Sequence, residues 1–462
     1  MPSTITDAAR ALRRGDITSA DLVQHAIDRA AAVDAALGTY IARFDESALD
    51  AARAADKELA VGIDRGPLHG VPIGVKDIIA AREGVTTAGS RVLKGWGERR
   101  DATAVARLRD AGAVITGKTS TSEFAIGAPD DDGPFPVPHS PWDVSRWPGG
   151  SSSGSATGVA AGLMLGALGS DTLGSIRIPS ALCGISGLKT TFGRVPMSHV
   201  VPLSYTMDTV GPMARSAADC AIILQAIAGD DARDQYAADR AVPDYRAALV
   251  GELAGLRIGV EREHHTAVEG FNPLCAERFE AAIAVLRALG ADVVDVRFEG
   301  YELMTAAALV TCGGDALAYH LGDLRTRYED YGRSCRKLLT RGVLYTAADY
   351  VQAQRVRAWG LSTLGDLFER CDAIVTPTTG VASPPSGADY WAVMGPWTYT
   401  PAWSLLGVPA MSIPMGSIDE GLPSGLQIIG PHFSEARLLR IADAYQRSTD
   451  WHLHEPPMVA RS

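Results

Sequence analysis

The pattern of apolar positions changes near residue 68 of the chain. Before that point, residues 16–37 place apolar side chains at intervals of three and four, which is the spacing of one helix face. Thr18, with Asp21 three positions later, is typical of a capping box that begins such a helix. The sequence therefore predicts that residues 1–60 form a helical N-terminal segment.

From residue 68 onward, short β-rich runs alternate with helical patterns. Strands are predicted at residues 71–79, 113–116, 256–260, 291–296 and 373–376. Helices are predicted at residues 102–111, 155–168, 217–228 and 275–289. This alternation indicates an α/β fold in which helices cover a mixed, largely parallel central sheet. The polar stretch from residue 229 to 248 is the best candidate for a boundary or a long connection.

Composition and charge narrow the classes of function. Of the 462 residues, 46% are hydrophobic and 21% are charged, which is typical of a globular protein with a sizeable core. The formal net charge is −11, and an acidic surface repels phosphate backbones and anionic lipid. We therefore expect a small-molecule substrate, no nucleic-acid partner and no membrane association.

The cysteines and histidines give no sign of a disulfide frame or a metal. Six cysteines lie far apart without a Cys-x-x-Cys pair, so we expect buried, reduced thiols. The N-terminus has no signal-peptide pattern and the most apolar stretch, residues 159–168, is too short to cross a bilayer, so the predicted location is the cytoplasm. His264 and His265 have no second ligand cluster, which favours a solvated loop pair, no metal and no cofactor.

A lysine stands inside the predicted strand at residues 71–79. Burying Lys76 among valines and isoleucines is costly, so its amine either reaches the surface or stays neutral through desolvation, which lowers its pKa. In a strand, Asp77 points to the opposite face and is no obvious ion-pair partner of Lys76. A neutral lysine can serve as a general base.

The densest chemical signal is a pair of Gly/Ser-rich stretches at residues 148–155 and 169–179. A Gly/Ser run can be a flexible linker, but this one continues directly into a small-residue helix pattern and a strand. We interpret the small residues as turns that direct backbone N–H groups toward a bound oxygen. The second turn places Ser175 beside them.

Five motifs occur in an order that resembles the amidase signature family. They are Gly-x-Pro-x-x-x-Lys-Asp, Gly-Lys-Thr followed by Glu-Phe-Ala, Ser-Pro-Trp, Gly-Gly-Ser-Ser and Gly-Ser-Ile-Arg. The resemblance covers residues 68–212, with further segments at 407–414 and 422–430. It implies a single domain over residues 1–462, in which 68–212 form the signature core and 235–462 complete the sheet and pocket.

The resemblance implies a serine–cis-serine–lysine triad that hydrolyses amide bonds. By motif, Lys76 matches the base, Ser151 the bridging serine and Ser175 the nucleophile, and the cis bond is either 150–151 or 151–152. The expected oxyanion donors are the backbone N–H groups of Thr172, Leu173, Gly174 and Ser175. The residues expected to surround and orient the triad are Ser152, Asp171 and Arg177. For Asp171 and Arg177, a local ion pair at the surface is the alternative.

Two other motifs compete with this interpretation. Residues 112–119 match the P-loop pattern, but a strand is predicted where a nucleotide-binding loop is required. Ser152 is central to a Gly-x-Ser-x-Gly pattern, which would need a preceding strand and a downstream histidine such as His320 or His432. The residues before it predict a poor strand, so both alternatives are disfavoured.

Some residues depart from the family pattern, and these differences help to choose between stand-alone hydrolases and amidotransferase members of the family. Leu173 replaces a glycine, which changes the shape of the pocket, and Ser120 replaces an asparagine. The tRNA-dependent amidotransferase members of the family carry a Tyr-Gly-Arg-Val-Ser-Arg-Tyr-Gly-like stretch, whereas residues 192–199 read Phe-Gly-Arg-Val-Pro-Met-Ser-His. This difference favours a stand-alone hydrolase, with a homodimer as a further option.

Aromatic residues between 389 and 405 suggest a pocket wall or, equally, a core segment. As a wall, they favour bulky apolar or aryl amides, with carbamates and hydrazides as alternatives cleaved by the same triad. The residues assigned to substrate binding are Ala125, Trp142, Trp391, Trp397 and Trp403, and Trp147 offers a further wall.

Overall fold

The computed structural model describes residues 1–128, 130 and 133–460. In this part of the chain, eleven strands form one sheet in the order β1-β3-β2-β4-β6-β5-β10-β11-β9-β7-β8. The strands are β1 Tyr40–Arg43, β2 Pro72–Lys76, β3 Val114–Thr119, β4 Gly166–Asp171, β5 Ser186–Lys189, β6 Thr209–Ala214, β7 Arg257–Glu261, β8 Asp292–Val296, β9 Ala373–Pro377, β10 Ala410–Ile418 and β11 Leu422–Ile429.

The sheet is mixed, as the sequence predicts, but it is not largely parallel. Parallel pairing joins β2 to β3 and β4, and β7 to β8 and β9. The other six of the ten pairings are antiparallel. Because β10 pairs with β5, the strands of residues 68–212 and those of the later part of the chain belong to one continuous sheet.

Helices accompany the strands along the chain. They are α1 Ile5–Arg14, α2 Ser19–Leu37, α3 Asp45–Ala60, α4 Thr103–Asp110, α5 Ser153–Ala160, α6 Arg177–Cys183, α7 Ala217–Ile227, α8 Pro273–Ala288, α9 Tyr301–Thr326, α10 Arg333–Arg341, α11 Ala347–Arg370, α12 Tyr390–Val393, α13 Pro401–Leu405, α14 Glu435–Arg447 and α15 Pro457–Ala460. The capping box of Thr18 and Asp21 is present at the start of α2. The helical N-terminal segment predicted over residues 1–60 is confirmed by α1, α2 and α3, except that β1 lies between α2 and α3.

The five predicted strands and three of the four later predicted helices are confirmed. The helix predicted at 155–168 is wrong in its second half, because α5 ends at Ala160 and β4 begins at Gly166. Gly162, with φ at +73°, provides the turn between them. The Gly, Ala and Ser residues of β4 lack the β-branched pattern by which strands are predicted.

The central strands are buried on both faces, as in sheets that are covered on both sides. Every residue of β2, β3, β4 and β6 is buried. The six cysteines are also buried and unpaired, which confirms the prediction of reduced thiols. No helix of the described chain is long and apolar enough to cross a membrane.

Candidate active site

Two buried lysines on neighbouring strands have different partners. Lys76 ends β2, and the alternation of the strand sends Asp77 to the other side, as predicted. There Asp77 Oδ1 lies 2.9 Å from Nζ of Lys118, which also donates to Thr86 Oγ1 at 2.8 Å. The Gly-Lys-Thr letters of the P-loop pattern therefore lie inside β3, and Lys118 has a structural role.

Among the described residues, the Lys76 amine donates hydrogen bonds only to hydroxyl groups. Its Nζ donates to Ser151 Oγ at 2.7 Å, Ser170 Oγ at 2.8 Å and Ser152 Oγ at 3.0 Å. Among the described residues, no carboxylate forms an ion pair with this fully buried amine. Burial lowers the pKa of Lys76 to about 7, although the negative charges of Asp171 and Asp208 oppose the shift. A substantial fraction of Lys76 is consequently neutral near pH 7 and able to accept a proton.

The loop that carries Ser151 is fixed by glycines. The peptide bond between Gly150 and Ser151 is cis, the first of the two positions that the sequence leaves open. Gly149 has φ at +86°, and a Cβ atom there would lie 2.8 Å from Cα of Pro179, so this position requires glycine. The Ser152 N–H donates to the carbonyl oxygen of Ser175 at 3.2 Å, which joins this loop to the second Gly-rich turn.

Ser151 and Ser175 meet at a cavity of about 420 Å³. Thr172 and Leu173 of the second turn line the same cavity. Within the described chain, Ser175 Oγ makes no hydrogen bond, so the step that links Ser175 to Ser151 stays a prediction. The structure thus brings Lys76, Ser151 and Ser175 into one site.

The second turn also presents backbone donors. The Gly174 N–H donates to Asp171 Oδ1 at 2.7 Å, which removes it from the four oxyanion donors that the resemblance implies. No described residue accepts a hydrogen bond from the N–H groups of Thr172, Leu173 or Ser175. These three groups are therefore the available donors for an oxyanion.

Asp171 and Arg177 form a completely buried ion pair, so the surface alternative is wrong. Arg177 Nε and Nη2 each lie 2.9 Å from a different oxygen of the Asp171 carboxylate. Arg177 also donates to Gln427 Oε1 at 2.7 Å and to Ser404 Oγ at 2.6 Å. Burial alone would raise the pKa of Asp171, but Arg177 holds it below its usual value. The charged pair clamps the turn that carries Ser175.

Of the five residues assigned to substrate binding, Ala125 lines the cavity, with its backbone at φ +60°. Trp147 and Tyr390 also line it, with ring centroids 4.8 Å apart in an edge-to-face arrangement. The Trp391 side chain lies outside the described residues.

Three of the predicted tryptophans do not line the cavity. Trp142 donates from Nε1 to the carbonyl oxygen of Cys183 at 2.9 Å. Trp397 packs against Phe271, with a centroid distance of 6.3 Å. Trp403 is completely buried and stacks on Phe298 at 5.0 Å. Trp403 is thus a core residue, which was the alternative interpretation of the aromatic segment. The sequence could not decide between the two, because an apolar side chain is suited both to a core and to a pocket wall.

The alternative catalytic and metal interpretations find no support in the geometry. Ser152 is completely buried and its Oγ donates to the carbonyl oxygen of Ser170. The proposed histidine partners bond elsewhere, His320 to Tyr331 and His432 to the Leu406 carbonyl oxygen.

The prediction of a solvated histidine pair is wrong. His265 is completely buried, and both His264 and His265 bond through Nδ1 to the carboxylate of Glu261. The described residues contain no group of three His, Cys, Asp or Glu side chains that could hold a metal ion.

Two residues beside Lys76 and the second turn, Ser170 and Asp208, were not predicted from the sequence. Ser170 accepts a hydrogen bond from Lys76, but a serine in a short Gly-rich strand carries no signal of this role. Asp208 accepts from the Thr172 hydroxyl and from the N–H groups of Leu203 and Ser204, and burial raises its pKa to about 6. Asp208 therefore joins the turn that contains Thr172 to Leu203, which lines the cavity.

Comparison with known proteins identifies the family. A family model described as Amidase matches residues 21–439. The chain belongs to the amidase family. It is an enzyme of the class that hydrolyses amide C–N bonds, and its fold is shared with solved amidases. The native peptide amidase from Stenotrophomonas maltophilia superposes with a TM-score of 0.86 at 34% identity, covering 98% of both chains.

Several relatives of this amidase are named as subunits of an amidotransferase and not as stand-alone amidases. A glutamyl-tRNA(Gln) amidotransferase subunit from Roseiflexus sp. (strain RS-1) is 41% identical over 98% of each chain. The solved structure of the subunit with the same name from Thermotoga maritima has a TM-score of 0.79 and 29% identity, over 94% of this chain and 92% of that one.

These relatives overturn two predictions. The preference for a stand-alone hydrolase of bulky apolar or aryl amides is wrong, because relatives that match over the whole chain are amidotransferase subunits. The expectation of only a small-molecule partner, with no nucleic acid involved and a homodimer as a further option, is contradicted by the same finding. The eight residues 192–199 are too short a segment to decide between the branches of the family.

Proposed function

We propose that this amidase is the amide-hydrolysing subunit of an amidotransferase that acts on glutamyl-tRNA(Gln). In this role it cleaves the primary carboxamide of a donor such as glutamine, and the released ammonia is used on the tRNA-bound glutamate. The observation that carries the proposal is the identity of about 40% over 98–99% of the chain with several subunits of this name. The complete Lys76–Ser151–Ser175 set supports it, since such a subunit must hydrolyse an amide.

The geometry supports a proton relay. Neutral Lys76 accepts the proton of Ser151, which in turn accepts the proton of Ser175. Ser175 Oγ then forms a bond to the donor carbonyl carbon, and the oxyanion is held by the N–H groups of Thr172, Leu173 and Ser175. Each such donor typically contributes about 3 kcal/mol to transition-state stabilisation.

The reverse movement of the proton completes the reaction. Ser151 returns a proton to the amide nitrogen, the C–N bond breaks, and ammonia leaves while the acyl group stays on Ser175. Water then attacks the ester by the same relay and frees the donor as a carboxylic acid. With glutamine as the donor, the products are glutamate and ammonia.

The acidic net charge of −11 is compatible with this role if another polypeptide of the complex binds the RNA. The relatives are named as subunits, which implies at least one further polypeptide. We assign the contact with tRNA to that partner, and the supply of ammonia to this chain.

The test is amidation of glutamyl-tRNA(Gln) by the tagged chain, purified with its partners from the cells that make it. With glutamine present, the wild-type complex should form glutaminyl-tRNA, and the Ser175→Ala complex should not. With ammonium chloride in place of glutamine, both should form it, because only the ammonia supply is lost. Ser448→Ala, at an exposed serine after α14, is the matched control. Amide hydrolysis by the wild type without any tRNA amidation would refute the proposal.

A further inference from the structure

The cavity beside Ser175 is lined mostly by apolar groups, and its charged lining is positive. Its helical wall comes from α9, α10 and the turn that follows, and includes Leu309, Leu338 and Tyr345. Among the described lining residues, Arg341 alone has a charged side chain. The catalytic serines therefore share an apolar cavity with a single guanidinium group.

The guanidinium group of Arg341 is unpaired among the residues that the structure describes. It is the last residue of α10 and is exposed. In the described part of the chain, no hydrogen bond or ion pair is formed by its guanidinium group. Arg336 of the same helix, by contrast, lies 2.5 Å from the Glu329 carboxylate. Arg341 is thus available to a ligand, whereas Arg336 is committed to an ion pair.

We infer that Arg341 binds a carboxylate of the amide donor. Because Arg341 is exposed and is the charged group among the described lining residues, an anionic end of a ligand in the cavity is attracted to it without losing all of its hydration. A guanidinium group matches the geometry of a carboxylate and can donate two parallel hydrogen bonds to it. This inference rests on the proposed function and makes its substrate class more specific. The donor is an amide that carries a second, anionic end, as glutamine does.

The test compares two amides that differ in this anionic end. Glutaramic acid and pentanamide have the same chain length and the same primary amide, but only the first carries a carboxylate. Ammonia release is measured for the protein as purified with its partners. The wild type should have a lower KM for glutaramic acid and for glutamine than for pentanamide.

Substitution of Arg341 should remove this preference. Arg341→Gln should raise KM for glutaramic acid and glutamine about tenfold, leave kcat within about twofold, and leave pentanamide unchanged. Arg341→Lys should keep part of the preference, since the charge remains. Arg333→Gln is the matched control, because Arg333 is exposed at the other end of α10 and does not line this cavity.

The outcomes separate the inference from the proposed function. Equal KM values for glutaramic acid and pentanamide in the wild type, or an unchanged KM in Arg341→Gln, would overturn the inference. Glutamine hydrolysis and tRNA amidation would then still stand. Conversely, a carboxylate preference that depends on Arg341 in a protein unable to amidate tRNA would support the inference and refute the amidotransferase role.

Discussion

Amide hydrolysis should follow the titration of Lys76. Burial lowers the pKa of this amine to about 7, and only its neutral form can accept the proton of Ser151. Because protonation removes the base, activity should fall as the pH falls through 7 and reach a plateau above about pH 8. The perturbation is therefore pH alone, applied to the unchanged protein.

The size of the effect follows from the pKa. While Asp208 stays charged, each pH unit below 7 reduces the neutral fraction of Lys76 about tenfold, so kcat/KM should be about one tenth of its plateau at pH 6. Below pH 6 the fall should become less steep, because protonation of Asp208, whose pKa burial raises to about 6, removes a charge that raises the pKa of Lys76. A lysine at its ordinary pKa of 10.5 would be neutral in only about one molecule in three thousand at pH 7. Its activity would then continue to rise to about pH 10.

The assay is initial-rate ammonia release at low substrate concentration, in samples taken at each pH and quantified at one fixed pH. Asp208→Asn provides a second measurement, because the negative charge of Asp208 raises the pKa of Lys76. Its loss should move the midpoint of the profile to lower pH. A rate that is constant from pH 5 to 8, a midpoint above pH 9, or a shift to higher pH in Asp208→Asn would refute Lys76 as the base.

Three further predictions concern the relay and the buried ion pairs. Ser151→Ala should lower kcat by about three orders of magnitude and leave the melting temperature within a few degrees, and comparable activity in this variant would exclude the relay. Arg177→Met should lower the free energy of unfolding by about 3–5 kcal/mol in urea titrations, since it leaves the Asp171 carboxylate buried without its cation. Lys118→Met should have a similar cost, and adding Asp77→Leu should recover part of it; equal stability of the single variant and the wild type would contradict the structural role of Lys118.

Sequence patterns predicted the parts of the fold that rest on β-branched runs and helix caps. The strands at 71–79 and 373–376 are of this kind, since valine and isoleucine runs fit strands that are buried on both faces. A strand was expected after the small-residue helix, but the bounds Gly166–Asp171 were not predicted, because these small residues are placed by the neighbouring strands β2 and β6 and not by their own preference.

The candidate site was predictable where chemistry constrains the residue type. A lysine inside an apolar strand needs an explanation, and so does a Gly/Ser run that continues into a helix. The roles of Ser170 and Asp208 were not predictable, because each depends on a contact between segments that are distant in sequence. The prediction of the pocket tryptophans was wrong for a related reason. Trp147 and Trp403 are equally apolar, and only their packing shows that the first lines the cavity and the second lies in the core.

A lowered pKa does not by itself identify the base in this protein. Lys189 is as deeply buried as Lys76, and burial lowers its pKa to about 7 as well. Its Nζ, however, donates to the backbone carbonyl oxygen of Thr190, which cannot relay a proton. Lys118 is also buried, but it faces the Asp77 carboxylate.

Of these three lysines, only Lys76 combines a lowered pKa with a hydroxyl group that opens onto the cavity, because Ser151 lies between its amine and the space beside Ser175. The assignment of the base therefore depends on the partner of each amine rather than on burial.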